Sequence, residues 1–165
     1  MMRLALAAAL PATVAALPQL QQHNVIMVLT DDQDIVLGSM DPNGPMQKTR
    51  ALVVEKGAYF TNGFATTPIC CPSRAEITSG RYMHNTHVYG NDCGGMDWVN
   101  GPEKLNMATY MSDAGYTTFY AGKYLNNYGS PNVGGCAHVP PGWDQYEQLS
   151  ALRRPCSPAC HTRPV

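Results

Sequence analysis

The segment from Pro68 to Gly80 places a cysteine and an arginine about one helical turn apart. It reads Pro68-Ile-Cys-Cys-Pro-Ser-Arg-Ala-Glu-Ile-Thr-Ser-Gly80. Proline is tolerated in a first helical turn, so a helix is predicted to begin near Pro72, with Cys70 at its entrance. Backbone N–H groups at that point favour anions, and the guanidinium of Arg74 fits two oxygens of a tetrahedral oxyanion. The alternative is a pair of cysteines that are simply buried at a helix start.

Two adjacent carboxylates follow a short apolar run near the N-terminus. The run Asn24–Thr30 is rich in β-branched residues and predicts a buried strand, which ends at Asp31 and Asp32. Ligands of α/β folds usually bind past the carboxyl ends of such strands. Oxygen ligands of this kind suit Ca²⁺ or Mg²⁺. The alternative is a solvated acidic turn.

A lysine and two histidines complete the set of candidate site residues. Lys123 follows a predicted strand over Thr117–Ala121, which would deliver it to the same sheet edge as the carboxylates. There it would act as a point charge on an anionic substrate, although an ordinary surface lysine is the alternative. His84 and His87 have a spacing that puts both on one face if the stretch is helical, and either is suited to acid–base chemistry.

The elements that position these residues alternate between strand and helix. This order predicts an α/β sandwich with a mostly parallel sheet, although the sheet is incomplete in a chain of this length. Between residues 81 and 101 the sequence predicts mostly loop. The predicted strands are 24–30, 58–61 and 117–121, and the predicted helices are 46–56, 72–80 and 105–114.

Composition and the two termini limit the classes of function. The 165 residues carry a net charge of −1, which gives no reason to expect nucleic acid or an anionic membrane as a partner. Residues 1–16 have the layout of a secretory signal peptide, with a short core helix as the alternative. In a secreted chain the six cysteines predict disulfides, but adjacent Cys70 and Cys71 rarely pair with each other. Residues 150–165 predict no regular structure.

Together these segments resemble the sulfatase family of the alkaline phosphatase-like superfamily. Cys70-Cys-Pro-Ser-Arg74 resembles the Cys-x-Pro-Ser-Arg signature, Thr30-Asp-Asp32 resembles the first pair of metal ligands, and Gly115-Tyr-Thr-Thr with Gly122-Lys123 resembles the second signature. The resemblance covers residues 24–149, which correspond to the N-terminal part of a sulfatase catalytic domain. Finer features look like N-acetylglucosamine-6-sulfatases, heparan endosulfatases and fungal arylsulfatases. Leu125 stands where many members have a histidine.

The resemblance implies a sulfuric ester hydrolase that is secreted or lumenal. It implies that a formylglycine-generating enzyme oxidises Cys70 and that the hydrated aldehyde attacks the sulfur of a sulfated sugar or aryl sulfate. Asp31, Asp32 and the modified Cys70 would hold Ca²⁺ or Mg²⁺, while Arg74 and Lys123 would neutralise the sulfate. The family's later Asp-Asn metal ligands have no counterpart here, so a non-catalytic truncated remnant is the alternative.

Overall fold

A computed structural model describes residues 23–91 and 96–148. By internal contacts the chain divides into two units, residues 1–33 and 34–165, and each unit is described by itself. The predicted signal peptide and the predicted C-terminal tail lie outside the described residues. So do Cys93, Cys156 and Cys160.

The described part of the first unit, residues 23–33, differs from the sequence-based prediction. Residues 24–30 form no regular strand, and every residue in the run is exposed. Val25 is 68% exposed and Ile26 is 87% exposed, so the predicted burial of this strand is wrong. A strand is stabilised by ladder hydrogen bonds to a neighbour, and within the described residues the only ladder joins two strands of the second unit.

Helices account for most of the regular structure of the second unit. Helix α1 (Gln47–Thr49) continues as a π-helical turn over Arg50–Val54, which confirms a helix in the predicted region. Residues 58–61 are exposed and form no strand, so that prediction is wrong. The remaining helices are α2 (Cys70–Ser79), α3 (Met83–Thr86), α4 (Met96–Asn100) and α5 (Met107–Asp113), with 3₁₀ turns at Pro102–Lys104, Pro131–Val133 and Gly135–Ala137.

The sheet of the second unit consists of two parallel strands among the described residues. Strand β1 (Phe119–Gly122) pairs with strand β2 (Gln145–Gln148), in a register that sets Tyr120 opposite Tyr146. The parallel sheet and the strand after α5 were predicted. Strand β2 was not predicted, because three of its four residues are polar and give no apolar run.

Aromatic side chains fill the space between the sheet and the helices. The Tyr120 ring lies 5.1 Å from Trp143 and 5.5 Å from Tyr146, and the Tyr124 ring lies 4.7 Å from Tyr128. Trp98 of α4 and Ala108 of α5 are buried in the same cluster. This core joins β1, β2 and the loop after β1 into one packed body, and burial of the large rings contributes most of its stability.

Helix α5 is fixed at its start by a capping box. The side chain of Asn106 accepts hydrogen bonds from the N–H groups of Ala108 and Thr109, and the Thr109 hydroxyl in turn accepts one from the Asn106 N–H. Gly142 packs against this turn with a φ of +89°, and a Cβ there would lie 2.3 Å from the Thr109 nitrogen. Only glycine allows so close an approach in that conformation.

Candidate active site

Cys70 is the first residue of helix α2. The residue before it, Ile69, is extended, and its carbonyl accepts the first helical hydrogen bond from the Ser73 N–H at 3.0 Å. Pro72 fits the first turn because the N–H that it lacks would have no helical partner there. Gly80 ends the helix in the left-handed conformation, with a φ of +66°. The helix therefore presents Cys70 at its positive end.

The two adjacent cysteines have different environments. Cys70 is a free thiol and is partly exposed, whereas Cys71 is fully buried and disulfide-bonded. Cys136 is also disulfide-bonded. Asn91 accepts a hydrogen bond from the Cys71 N–H at 3.2 Å, which satisfies one of the N–H groups at the helix start. Of these two sulfur atoms, only that of Cys70 is available for chemistry.

Arg74 lies one turn after Cys70 and is only 8% exposed. Its Nη1 donates a long hydrogen bond of 3.4 Å to the Tyr124 carbonyl. Burial raises the pKa of Tyr120 to about 12, while the nearby positive charge of Arg74 acts in the opposite direction. The positively charged guanidinium of Arg74 is therefore held between the first turns of α2 and the end of β1.

The loop after β1 packs on the start of α2. Lys123 follows Gly122, the last residue of the strand, and its side chain is exposed. The Lys123 carbonyl accepts a hydrogen bond from the Tyr120 hydroxyl at 2.6 Å. Three residues further on, the Asn126 N–H donates to the sulfur of Cys71 at 3.3 Å. The structure thus brings the Lys123 segment to the same region as Arg74 and Cys71.

The histidines lie further along the chain, after the C-terminal end of α2. His84 is in the short helix α3 and stacks on Tyr82 at 5.9 Å. His87 follows the helix in the left-handed conformation, with a φ of +59°, so the two rings do not share one helical face.

The carboxyl group of Glu76 in α2 interacts with this segment. Burial alone would raise the pKa of Glu76, but hydrogen bonds from Thr66, the Met83 N–H and Thr67, together with the charge of His84, lower it.

Asp31 and Asp32 belong to the first unit. Both residues lie in a bend that follows the exposed run 23–30, and both are exposed. Asp32 has a φ of +50°, a conformation that aspartate tolerates better than most residues. The bend therefore presents two adjacent carboxylates to solvent, which is chemically suited to a hard divalent cation.

A buried acidic residue that the sequence did not single out lies in the core. The Glu103 carboxylate is fully buried and accepts hydrogen bonds from Trp98 Nε1 at 3.1 Å and from the Tyr128 hydroxyl. Its other oxygen lies 2.9 Å from His138 Nε2. The sequence signal was weak, because a lone glutamate after Gly-Pro looks like a surface turn residue. Its partners come from three separate segments, so only the tertiary structure reveals the network.

Comparison with known proteins gives a consistent result. The family model described as Sulfatase matches residues 23–152. A putative extracellular sulfatase Sulf-1 homolog of Caenorhabditis elegans is 49% identical over 130 residues, covering 78% of this chain and 17% of the relative. Human N-acetylglucosamine-6-sulfatase is 46% identical over 134 residues, covering 78% and 24%. An arylsulfatase of Volvox carteri is 34% identical over 133 residues, covering 78% and 20%. No solved structure matches.

The chain belongs to the sulfatase family, whose members hydrolyse sulfuric esters. It spans about a fifth of the length of the curated relatives named above. Within the described residues, no helix is both long and apolar enough to cross a membrane.

Proposed function

We propose that the protein hydrolyses sulfate esters with a formylglycine made from Cys70. The observation that carries the proposal is the partly exposed, free thiol at the start of α2, with the buried Arg74 one turn away. In this chain, as a member of the sulfatase family, the Cys-x-Pro-Ser-Arg sequence has the form that a formylglycine-generating enzyme would recognise. Cys71 is unsuited to the role because it is buried and disulfide-bonded.

The reaction that we infer has two stages. The hydrated aldehyde at position 70 carries two hydroxyl groups, and the oxygen of one attacks the sulfur while the bond from sulfur to the alcohol breaks and the alcohol leaves with a proton. The second hydroxyl then loses its proton, the carbon–oxygen bond to the sulfate breaks, and the aldehyde re-forms as sulfate departs. Water that rehydrates the aldehyde supplies the oxygen atom consumed in each turnover.

A divalent cation, Ca²⁺ or Mg²⁺, is part of the proposal. Asp31 and Asp32 would hold it together with the modified residue 70, because carboxylate oxygens are the ligands that these ions prefer. When bound, such an ion polarises sulfate oxygens and lowers the pKa of a coordinated hydroxyl. Ca²⁺ takes about six to eight oxygen ligands, so other groups must complete the coordination sphere.

Arg74 and Lys123 would stabilise the negative charge that develops on the sulfate oxygens. Arg74 is suited to this role because its guanidinium is held in place by burial and by the Tyr124 carbonyl. Lys123 is exposed, and its ammonium group would act as a point charge on the anion. Loss of one preorganised donor of this kind typically lowers the rate by about 10²–10³-fold.

The substrate that we propose is a sulfated sugar, with aryl sulfates as small surrogate substrates. Support comes from the relatives, two of which are named as an N-acetylglucosamine-6-sulfatase and an extracellular sulfatase. By the same reasoning the protein acts outside the cell or in a lumenal compartment. That location also suits a chain with disulfide-bonded Cys71 and Cys136.

The test uses the protein secreted from a host that has formylglycine-generating activity. Peptide mass spectrometry is expected to find an aldehyde at position 70 and none at position 71. Hydrolysis of 4-nitrophenyl sulfate and glucosamine-6-sulfate should disappear in Cys70→Ala and after chelation of divalent cations. Cys70→Ser is the matched control, because a single hydroxyl can accept the sulfate but cannot expel it by re-forming a carbonyl. Metal-dependent turnover that survives Cys70→Ala would contradict the proposal.

A further inference from the structure

A cleft of about 410 Å³ lies beyond the C-terminal end of α2. One wall is the segment from Arg81 to His87, and the other is formed by α4 and the turn that follows it at Gly101 and Pro102. The volume lies within the range of about 300–1,000 Å³ that small-molecule sites occupy. We propose that this cleft is a second carbohydrate subsite, which binds a sugar residue other than the one whose sulfate is cleaved.

The first wall of the cleft has a defined conformation. His87 has a φ of +59°, which is uncommon for a residue with a side chain, and its N–H donates to the Met83 carbonyl at 3.0 Å. The Thr86 beside it is fully buried, and its hydroxyl donates to the same carbonyl at 3.1 Å. His87 thus ends α3 in a left-handed cap, and these two hydrogen bonds fix the shape of this wall of the cleft.

The side chains that line the cleft match a hydroxyl-rich ligand with a negative charge. Arg81 offers a planar set of donors to a carboxylate or sulfate group. Asn85 and Asn100 offer both donors and acceptors, and Asp97 accepts hydrogen bonds from hydroxyl groups. Neither Arg81 nor Asp97 forms an ion pair with another residue in the described part of the chain, so both groups are available to a ligand.

The position of the cleft determines what kind of substrate would reach it. Helix α2 has ten residues, with Cys70 at one end and the cleft past the other. Ten helical residues span about 15 Å, which is longer than one sugar ring. A monosaccharide or aryl sulfate held at Cys70 would not fill the cleft. The subsite therefore favours oligosaccharides, and this inference rests on the proposed function because it assumes that the sulfate binds at Cys70.

The test measures binding separately from turnover. Calorimetry on the Cys70→Ala protein would compare a heparin-derived hexasaccharide with glucosamine-6-sulfate. In that background Arg81→Ala is expected to weaken hexasaccharide binding about tenfold or more, because it removes hydrogen bonds to a charged group. Binding of the monosaccharide should change by less than about twofold, since it does not extend beyond the Cys70 end. Asn100→Ala should weaken hexasaccharide binding in the same selective way.

Lys104→Ala is the matched control for non-specific attraction of a polyanion. Lys104 is exposed in the turn next to the cleft but does not line it. Equal losses in Arg81→Ala and Lys104→Ala, or no binding of the hexasaccharide, would overturn the subsite. Near-ultraviolet circular dichroism identifies a misfolded variant, and Asn100→Ala then serves as the deciding substitution. Failure of the proposed function has another signature: no aldehyde at position 70, with Arg81-dependent binding retained.

Discussion

At the scale of single residues, the buried carboxyl group of Glu103 joins separate segments of the core. It connects Trp98 of α4, Tyr128 of the loop after β1, and His138. Tyr128 packs on Tyr124, whose carbonyl accepts the hydrogen bond from Arg74. The network therefore supports the segment on which the arginine rests, although Glu103 itself contacts no residue of the candidate site.

The pH dependence of stability is expected to report on Glu103. Burial raises the pKa of its carboxyl group above the usual value of 4.5, and this effect outweighs the opposing hydrogen bonds and charge of His138. The folded state therefore binds more protons than the unfolded state above that value, so the free energy of unfolding contributed by this group falls as the pH rises from about 4.5.

Substitution of Glu103 separates ionisation from hydrogen bonding. Glu103→Gln removes the charge and should flatten this part of the dependence of the melting temperature on pH. Glu103→Ala should lower the free energy of unfolding by about 2–4 kcal/mol, because buried donors on Trp98 and Tyr128 lose their acceptor. Thermal unfolding followed at several pH values measures both effects. An unchanged pH profile in Glu103→Gln would contradict the role given to the carboxyl group.

At the scale of secondary-structure elements, local signals predicted what local interactions stabilise. Pro72 and Gly80 mark the first turn and the end of α2, and the helix forms between Cys70 and Ser79 as expected. The apolar run 24–30 predicted a buried strand and was wrong, because a strand depends on a partner that its own sequence does not specify. Strand β2 was missed for the related reason that its buried residue Tyr146 becomes informative only beside Tyr120.

Helix α5 depends on Asn106 for more than its cap. Besides accepting two N–H groups, the buried amide donates to the Glu103 carbonyl at 2.6 Å and to the Pro141 carbonyl at 3.1 Å. Asn106→Ala is expected to lower the free energy of unfolding by about 2–3 kcal/mol, since it removes the cap and leaves two carbonyls unsatisfied.

Urea denaturation measures the loss, and Asn132→Ala is the matched control. Asn132 is exposed in the 3₁₀ turn Pro131–Val133, so truncation of its side chain should change stability by less than about 0.5 kcal/mol. Asn106→Asp adds a second comparison, because it keeps the acceptor for the helix and removes both donors. If Asn106→Ala and Asn132→Ala have equal stability, the capping box is not a structural determinant.

At the scale of the whole molecule, the distribution of apolar surface is uneven. Large apolar side chains between residues 25 and 64 are mostly exposed, including Leu37 at 81%, Phe60 at 82% and Phe64 at 87%. The buried residues of the core cluster lie between residues 71 and 146. Exposed apolar surface of this extent promotes association with other molecules.

The purified 165-residue chain is therefore expected to bind a hydrophobic dye and to self-associate. Light scattering and dye fluorescence would measure this as the protein concentration increases. Replacing Phe60 and Phe64 by serine should reduce both signals, whereas replacing the buried Tyr146 should not reduce them. A monomeric chain that binds no dye at high concentration would contradict this prediction.

The candidate site was predictable to a different degree from the fold. Cys70, Arg74 and Lys123 could be chosen from sequence because their motif has a chemical rationale and a family resemblance. Disulfides were predicted from the cysteine content, but the choice of Cys71 over Cys70 was not. The loop that packs on Cys71 was not predictable either, since the Asn126 N–H contacts that sulfur across more than fifty positions of the chain. Contacts of this separation depend on the packed core, which no local pattern specifies.

The aromatic core also gives the protein an intrinsic fluorescence signal that depends on its folded structure. Its two tryptophans, Trp98 and Trp143, are 1% and 7% exposed and lie in the same cluster of tyrosine rings. Excitation absorbed by those tyrosines should pass to the indoles, whose emission is expected at short wavelength because both rings are buried. Trp98 donates its indole hydrogen to Glu103, so its emission intensity should follow the protonation of that one carboxyl group. The wavelength and intensity of the intrinsic tryptophan fluorescence would thus report, without any attached label, on the interior that supports Arg74.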